Sequence, residues 1–268
     1  MKKIMTVVLA LVLMFSLAVG VIAEEASVQA ILDKGVLILG LDDSFPPMGY
    51  RDENNDIVGF DIDLAKEVAA RLGVELELQP IEWSAKELEL DAGNIDCIWN
   101  GMSITPDRQE SMSMTFSYLQ NQQVIVVKTD SGIATLEDMA GKKLAVQGGS
   151  YAEDLINSEN YADLKASLTQ VIAFDEYLTA LMDLQNGGVD GVLIDQVVAD
   201  FRITGMGATD IVAALSLEDD NFGIGFRKDD VALRDKVESI LIEMKNDGTM
   251  AEISTLWFGS DTTLVPAE

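Results

Sequence analysis

Apolar positions in this chain follow two rhythms that alternate along its length. Val36 to Leu41 and Ile95 to Asn100 are short, nearly continuous apolar runs, and Val74 to Gln79 alternates apolar with polar; all three have the length and character of strands. Between the first two, apolar residues recur at helical spacing from Asp61 to Leu72, and Gly73 stands where a helix would stop. Ser84-Ala85-Lys86-Glu87 reads as a capping box opening a helix that stops at Gly93. Thr105-Pro106 supplies a cap and a first-turn proline for a short helix, ahead of a strand from Gln123 to Val127.

The second half repeats the theme. Thr135 caps a short helix ending at Gly141, Lys143 to Val146 is a strand, and a helix starts at Ser150. Asp175 to Asn186 reads as helix, Val189 to Ile194 as strand and Gln196 to Ile203 as helix. The tail adds a strand from Phe222 to Phe226, a helix from Asp230 to Asn246 and a last short helix ending near Phe258. Alternation of this kind predicts mostly parallel sheets covered by helices. An internal echo, Leu90-Asp91-Ala92-Gly93-Asn94-Ile95-Asp96-Cys97-Ile98 against Leu184-Gln185-Asn186-Gly187-Gly188-Val189-Asp190-Gly191-Val192, places a helix end, a glycine stop and a buried strand in each half. Two lobes of similar build are the expectation.

The N-terminus has a different pattern. Lys2 and Lys3 precede an apolar run from Ile4 to Val19, and Val21-Ile22-Ala23 leads into Glu24 and Glu25. Residues 1–23 are therefore expected to be a secretory signal cleaved near Ala23, giving a periplasmic or extracellular protein; an uncleaved anchor is the alternative. No cysteine sits at that junction to carry a lipid.

Composition narrows the chemistry. The formal charge is −28, and loss of Lys2 and Lys3 with the leader makes it more negative still, so the surface repels nucleic acid and anionic lipid. The chain has no histidine, which excludes Ser-His-Asp, Cys-His and His-ligated zinc mechanisms. Its single cysteine, Cys97, has no partner for an intrachain disulfide and lies in an apolar run. Gly223-Ile224-Gly225 lacks the third glycine and following helix of a dinucleotide fingerprint. No metal or organic cofactor is expected.

In parallel sheets, ligands bind beyond the carboxyl ends of strands, where polar groups converge. Asn100-Gly101-Met102-Ser103-Ile104-Thr105-Pro106-Asp107-Arg108 offers amides, a hydroxyl and a guanidinium suited to a carboxylate. Gln147-Gly148-Gly149-Ser150-Tyr151 is a glycine turn entering a helix, where free N–H groups suit an anion; Ser150 also serves as an ordinary cap. Asp195 leaves an apolar strand and either caps the next helix or accepts from an ammonium group. An arginine and a helix start for an anion, with an aspartate for a cation, answer the recognition problem of a zwitterion. Asp42 and Phe45, in Asp42-Asp43-Ser44-Phe45-Pro46-Pro47-Met48, and Trp83 are further candidates for lining a pocket.

These segments resemble the family 3 bacterial extracellular solute-binding proteins, the polar amino-acid receptors of ABC importers. The likeness runs from about Val36 to Phe258 and is carried by Gly40-Leu41-Asp42 with Phe45-Pro46-Pro47, Val58-Gly59-Phe60-Asp61-Ile62-Asp63-Leu64-Ala65, Gly93-Asn94-Ile95-Asp96, Ser103-Ile104-Thr105-Pro106-Asp107-Arg108, Gln147-Gly148-Gly149-Ser150 and Phe222-Gly223-Ile224-Gly225-Phe226-Arg227-Lys228. The resemblance implies an α/β, two-lobed type II periplasmic-binding-protein fold, each lobe a mostly parallel sheet flanked by helices. Lobe 1 would comprise 24–120 and 221–268 and lobe 2 121–220, with hinge crossovers near Leu119 to Gln122 and Glu218 to Phe222. It also implies that Arg108, Ser103 and Ser150 hold an α-carboxylate and that Asp195 holds an α-ammonium with carbonyls near Asn100 and Gly101. Phe45 and Trp83 would flank the side chain, with Asp42, Met102, Gly148 and Tyr151 close by.

The chain departs from the family pattern at Phe116-Ser117-Tyr118-Leu119, where Phe-Ser-x-Pro-Tyr is usual, at Ser150, where threonine is commoner, and at Trp99-Asn100, where residues are smaller. The function implied is capture of a free polar L-amino acid by a monomer that delivers it to permease subunits of an ABC importer, without enzymatic activity. Phe45, Trp83 and Asn100 lean toward a neutral polar side chain, while Asp42 and Asp43 leave a basic one open. The rival readings are a dehydratase for an amino-acid-like substrate, for which nothing marks Glu82 or Glu87 as the acid, and a sensor domain on the same scaffold.

Overall fold

A computed structural model of the protein describes residues 26–266. The expected signal segment, 1–23, lies outside the described residues. Helix α1, over 26–34, leads into β1 (Val36–Leu41), the short strands β2 (Ser44–Phe45), β3 (Gly49–Arg51) and β4 (Ile57–Val58), then α2 (Phe60–Leu72), β5 (Glu75–Pro80), α3 (Lys86–Asp91), β6 (Cys97–Ser103), α4 (Pro106–Ser111), β7 (Ser113–Met114) and β8 (Leu119–Lys128). There follow β9 (Lys143–Gln147), α5 (Tyr151–Asn157), α6 (Ala162–Ser167), β10 (Gln170–Phe174), α7 (Tyr177–Asn186), β11 (Gly191–Asp195), α8 (Gln196–Met206), β12 (Ile211–Phe226), α9 (Val231–Asp247) and α10 (Thr249–Phe258).

Nine strands form one sheet in the order β10-β9-β11-β8-β12-β6-β1-β5, with β7 joined to β12. Two parallel groups stand at its ends: β1 with β5 and β6, and β9 with β10 and β11. The antiparallel pair β8 and β12 connects them. β12 pairs with β6 through Phe222–Phe226 and with β8 through Ile211–Phe222, while β8 pairs with β11 through Gln123–Val127. This is the two-lobed α/β arrangement, with two long strands passing from one lobe to the other.

Helix α2 shows how the sequence builds a lobe. Its apolar stripe buries Phe60, Ile62, Leu64, Ala65, Val68, Ala69 and Leu72, and each large aliphatic or aromatic side chain so removed from water contributes roughly 1.5–3 kcal/mol. Gly73 ends it in the left-handed conformation, φ 77°, returning its N–H to the carbonyls of Ala69 and Ala70. Strand β6 is buried along all seven residues, as expected for a central strand covered on both faces.

Three local readings differ from the structure. The Ser84–Glu87 capping box does not form: Trp83–Ala85 make a 3-10 turn, and α3 starts at Lys86 with no side-chain cap. Tertiary packing decides this, because Trp83 is drawn into a cluster with Ile98, Met102 and Met112. Strand β12 begins at Ile211 rather than Phe222; its polar stretch Glu218-Asp219-Asp220-Asn221 stays in the ladder opposite β8 across register shifts. The three-stranded sheet β2-β3-β4 and the edge strand β10 are too short for periodicity to reveal.

Candidate functional site

The loop after β6 is shaped by a buried carboxylate. Asp61, at the start of α2, accepts from the Gly101 N–H at 2.7 Å and from the Tyr118 hydroxyl at 2.9 Å. Gly101 sits at φ 60°, and a Cβ there would lie 2.8 Å from a ring carbon of Phe45, so only glycine lets the strand end pass beneath that ring. Burial pushes the Asp61 carboxyl up to about 7 despite both donors.

Thr105 then caps α4, accepting from the Arg108 N–H at 3.2 Å, which sets Arg108 within the first turn. The Arg108 guanidinium is buried. It donates to the Ser103 carbonyl at 3.0 Å and to the Gly149 carbonyl at 3.4 Å, and stands 3.5 Å from Asp154.

Across from it, β9 ends in Gln147 and turns into α5. Ser150 caps that helix, accepting from Glu153 N–H at 3.2 Å while donating to the Gln147 carbonyl at 2.8 Å. The N–H groups here are not free as the sequence suggested: Gly149 N–H donates to the Glu153 carboxylate at 2.7 Å. Gly148 N–H is likewise used, bonding the Phe174 carbonyl.

Asp195 lies at the start of α8 but makes no side-chain cap. Its Oδ1 instead accepts from Asn121 Nδ2 and Gln123 Nε2, each at 2.7 Å. The same two amides reach Asp220 Oδ2 at 3.1 Å, and Ser103 Oγ donates to that oxygen at 2.7 Å. Strand register explains the cluster: Gln123 is opposite Asp195 and Asn121 opposite Asp220. Burial and the neighbouring Asp220 push the Asp195 carboxyl up to about 7, and burial raises Asp220 as well.

These groups meet in one narrow cavity, closed down to about 10 Å³ of free space, lined by Phe45, Trp83, Asn100, Gly101, Ser103, Arg108, Gln147, Ser150, Tyr151 and Asp195. Nine of the twelve residues singled out from the sequence therefore line it. Asp42 stands behind Gln147, accepting from its Nε2 at 2.6 Å and from the Ser44 N–H and hydroxyl at 2.8 Å each. Met102 is instead packed into the cluster with Trp83 and Ile98. Gly148 does not line the cavity; its backbone is tied to β10.

A larger adjoining cavity, about 320 Å³, shares Trp83 and carries Asp42, Asp43, Glu82, Glu89, Asp175 and Glu176.

Sequence reading missed Gln147, Asn121, Gln123 and Asp220. The signal available was polarity in the wrong place: Asn121-Gln122-Gln123 opens an otherwise apolar strand, and Asp219-Asp220 interrupts another. Lys86 was also missed. It is 2% exposed, lies 5.1 Å from the Trp83 ring and donates to the Gly149 carbonyl at 2.8 Å.

Residues 37–260 match the family model described as bacterial extracellular solute-binding proteins, family 3. The chain belongs to that family. Among similar proteins, the L-cystine-binding protein TcyJ of Escherichia coli strain K12 is 28% identical over 258 residues, 96% of this chain and 95% of that one. ABC transporter arginine-binding protein 1 of the same strain is 32% identical over 224 residues, 82% and 89% of the two chains. A solved substrate-binding protein of an ABC uptake transporter from Streptococcus pneumoniae, with bound histidine, superposes with a TM-score of 0.85 at 36% identity, covering 90% of this chain and 98% of that one. This family 3 member has the type II periplasmic binding fold of a solute-binding protein.

Proposed function

We propose that the cavity lined by Arg108 and Asp195 is the seat of a free L-amino acid, and that the protein binds it without converting it. One observation carries the reading: a buried guanidinium and a buried carboxylate face the same narrow cavity without pairing to each other. A zwitterion satisfies both charges together, its carboxylate on Arg108, Ser103 and Ser150 and its ammonium on Asp195.

On this reading residues 24–120 with 221–268 form one lobe, 121–220 the other, and β8 and β12 act as the hinge. Closure is favoured by bonds that cross between them, Gln147 to Asp42 and Arg202 to the Ser44 carbonyl, at 2.6 and 2.8 Å. Residues 1–23 would direct export, and the closed monomer would pass its amino acid to the permease of an importer.

The side-chain preference follows from the adjoining cavity. Its six carboxylates are accompanied by no lysine or arginine among the described lining residues, so a basic side chain laid over Trp83 is favoured and an acidic one repelled. This moves the balance from the neutral polar side chain that the sequence favoured.

A thermal-shift screen of refolded protein against the common L-amino acids tests the proposal, since a compound that binds only the native state raises Tm. A rise with arginine, histidine or another L-amino acid is expected. No rise with any of them would refute the reading.

A further inference from the structure

The two carboxylates Asp195 and Asp220 form an arrangement that ammonium binding by a single aspartate does not need. Both are buried, and the same pair of amide nitrogens, Asn121 Nδ2 and Gln123 Nε2, is shared between Asp195 Oδ1 and Asp220 Oδ2. Among the described residues neither forms an ion pair with a lysine or arginine. The Arg108 guanidinium, on the same cavity, is turned to Ser103, Gly149 and Asp154 instead. The other groups facing the pair add no cation: Ser103 on β6, Glu218 on β12 with Tyr151 of α5 donating to it at 3.1 Å, Asp42 beyond Gln147, and Tyr177 of α7, whose buried hydroxyl has no partner. Two like charges this close in a dry site do not both stay ionised; one proton is shared between them.

The donors decide where that proton rests. Asp220 receives Ser103 Oγ, both amides and, on Oδ1, the Asn221 N–H at 2.6 Å, a set that favours its ionised form. Asp195 receives only the two amides from other residues, and lines the cavity.

We propose that Asp220 acts as a positioning residue that keeps a proton on Asp195, and that the amino acid's ammonium group displaces this proton to solvent as it binds. The inference rests on the reading of the cavity as an amino-acid site. No bond other than O–H changes: Asp195 loses its proton to buffer and accepts N–H donors from the ammonium. The protein then binds most tightly where Asp195 is already ionised and progressively less tightly as the medium acidifies.

Isothermal titration of the full mature protein with L-arginine, L-histidine and L-glutamine, in buffers of different ionisation enthalpy, measures the protons released. Wild type is expected to release nearly one proton near pH 5.5 and almost none near pH 8.5, with affinity falling by up to about tenfold per pH unit below about pH 7. Asp220→Asn removes the like charge, so release and the loss of affinity move to lower pH. Binding without proton release by wild type, or an Asp220→Asn variant with the wild-type pH profile, overturns the coupling while leaving the amino-acid reading intact. If wild type binds none of the common L-amino acids or cystine at any pH, both fail. The proton count on wild type stands by itself if the variant does not fold.

Discussion

Replacing Arg108 with alanine tests the anion side of the cavity most directly. In the structure the guanidinium donates to the Ser103 and Gly149 carbonyls, and Gly149 retains a second donor in Lys86. The fold therefore loses little. The Ser103 carbonyl alone is left short of a partner, a cost of about 1–3 kcal/mol. On the proposed reading the ligand loses far more. Two charge-assisted hydrogen bonds to one buried carboxylate contribute about 3–5 kcal/mol together, and removing them leaves that carboxylate facing only hydroxyls. The expected weakening in Kd lies between about a hundredfold and a few thousandfold, enough to carry micromolar binding out of calorimetric range. Isothermal titration measures the affinity, and circular dichroism with thermal melting checks that the variant is folded. Arg108→Lys restores charge without the bidentate fork and recovers only part of the loss. A folded Arg108→Ala protein that binds within about threefold of wild type would refute the argument.

Three further outcomes follow from the geometry. Gly101→Ala places a methyl group 2.8 Å from the Phe45 ring at a left-handed φ, so a loss of at least about 1–2 kcal/mol in stability and a weaker ligand affinity are expected from melting curves and titration. Asp61, raised from 3.8 to about 7, holds more protons folded than unfolded between those values. Its contribution is intact below about pH 4 and lost as pH climbs through 7, about 4 kcal/mol at full ionisation; Asp61→Asn should flatten that part of the Tm–pH curve and raise Tm near pH 8. Cys97 is 1% exposed and burial raises its thiol, so a chromogenic disulfide reagent should leave it unmodified in native protein and react once in denaturant; rapid native reaction would contradict its placement.

Side-chain specificity is not settled by fold in this family. Relatives that superpose or align over most of the chain are named for cystine, arginine and histidine, although they share the backbone scaffold. On the proposed reading, specificity resides in the few side chains beyond the zwitterion clamp, which here would be Phe45, Trp83 and the carboxylates of the adjoining cavity.

Most strands and helices were legible because burial on a sheet face or helix stripe leaves a period that a sequence displays: β1, α2 and β9 lie within a residue or so of where the pattern put them. The ends of β6, β9 and β11 were legible as candidate binding positions because polar residues stop an apolar run at each strand's carboxyl end, where ligands bind in parallel sheets. Tertiary structure alone decided what meets there. Asn121, Gln123 and Asp220 come together with Asp195 only through the register of β8 against β11 and β12, a non-local pairing that leaves no period along the chain. The loss of the Ser84 cap has the same origin, since Trp83 gains more by packing than the helix loses at its start. Local propensity is written residue by residue, whereas an electrostatic site depends on distances between segments a hundred residues apart, and those distances exist only once the sheet has closed its ladder.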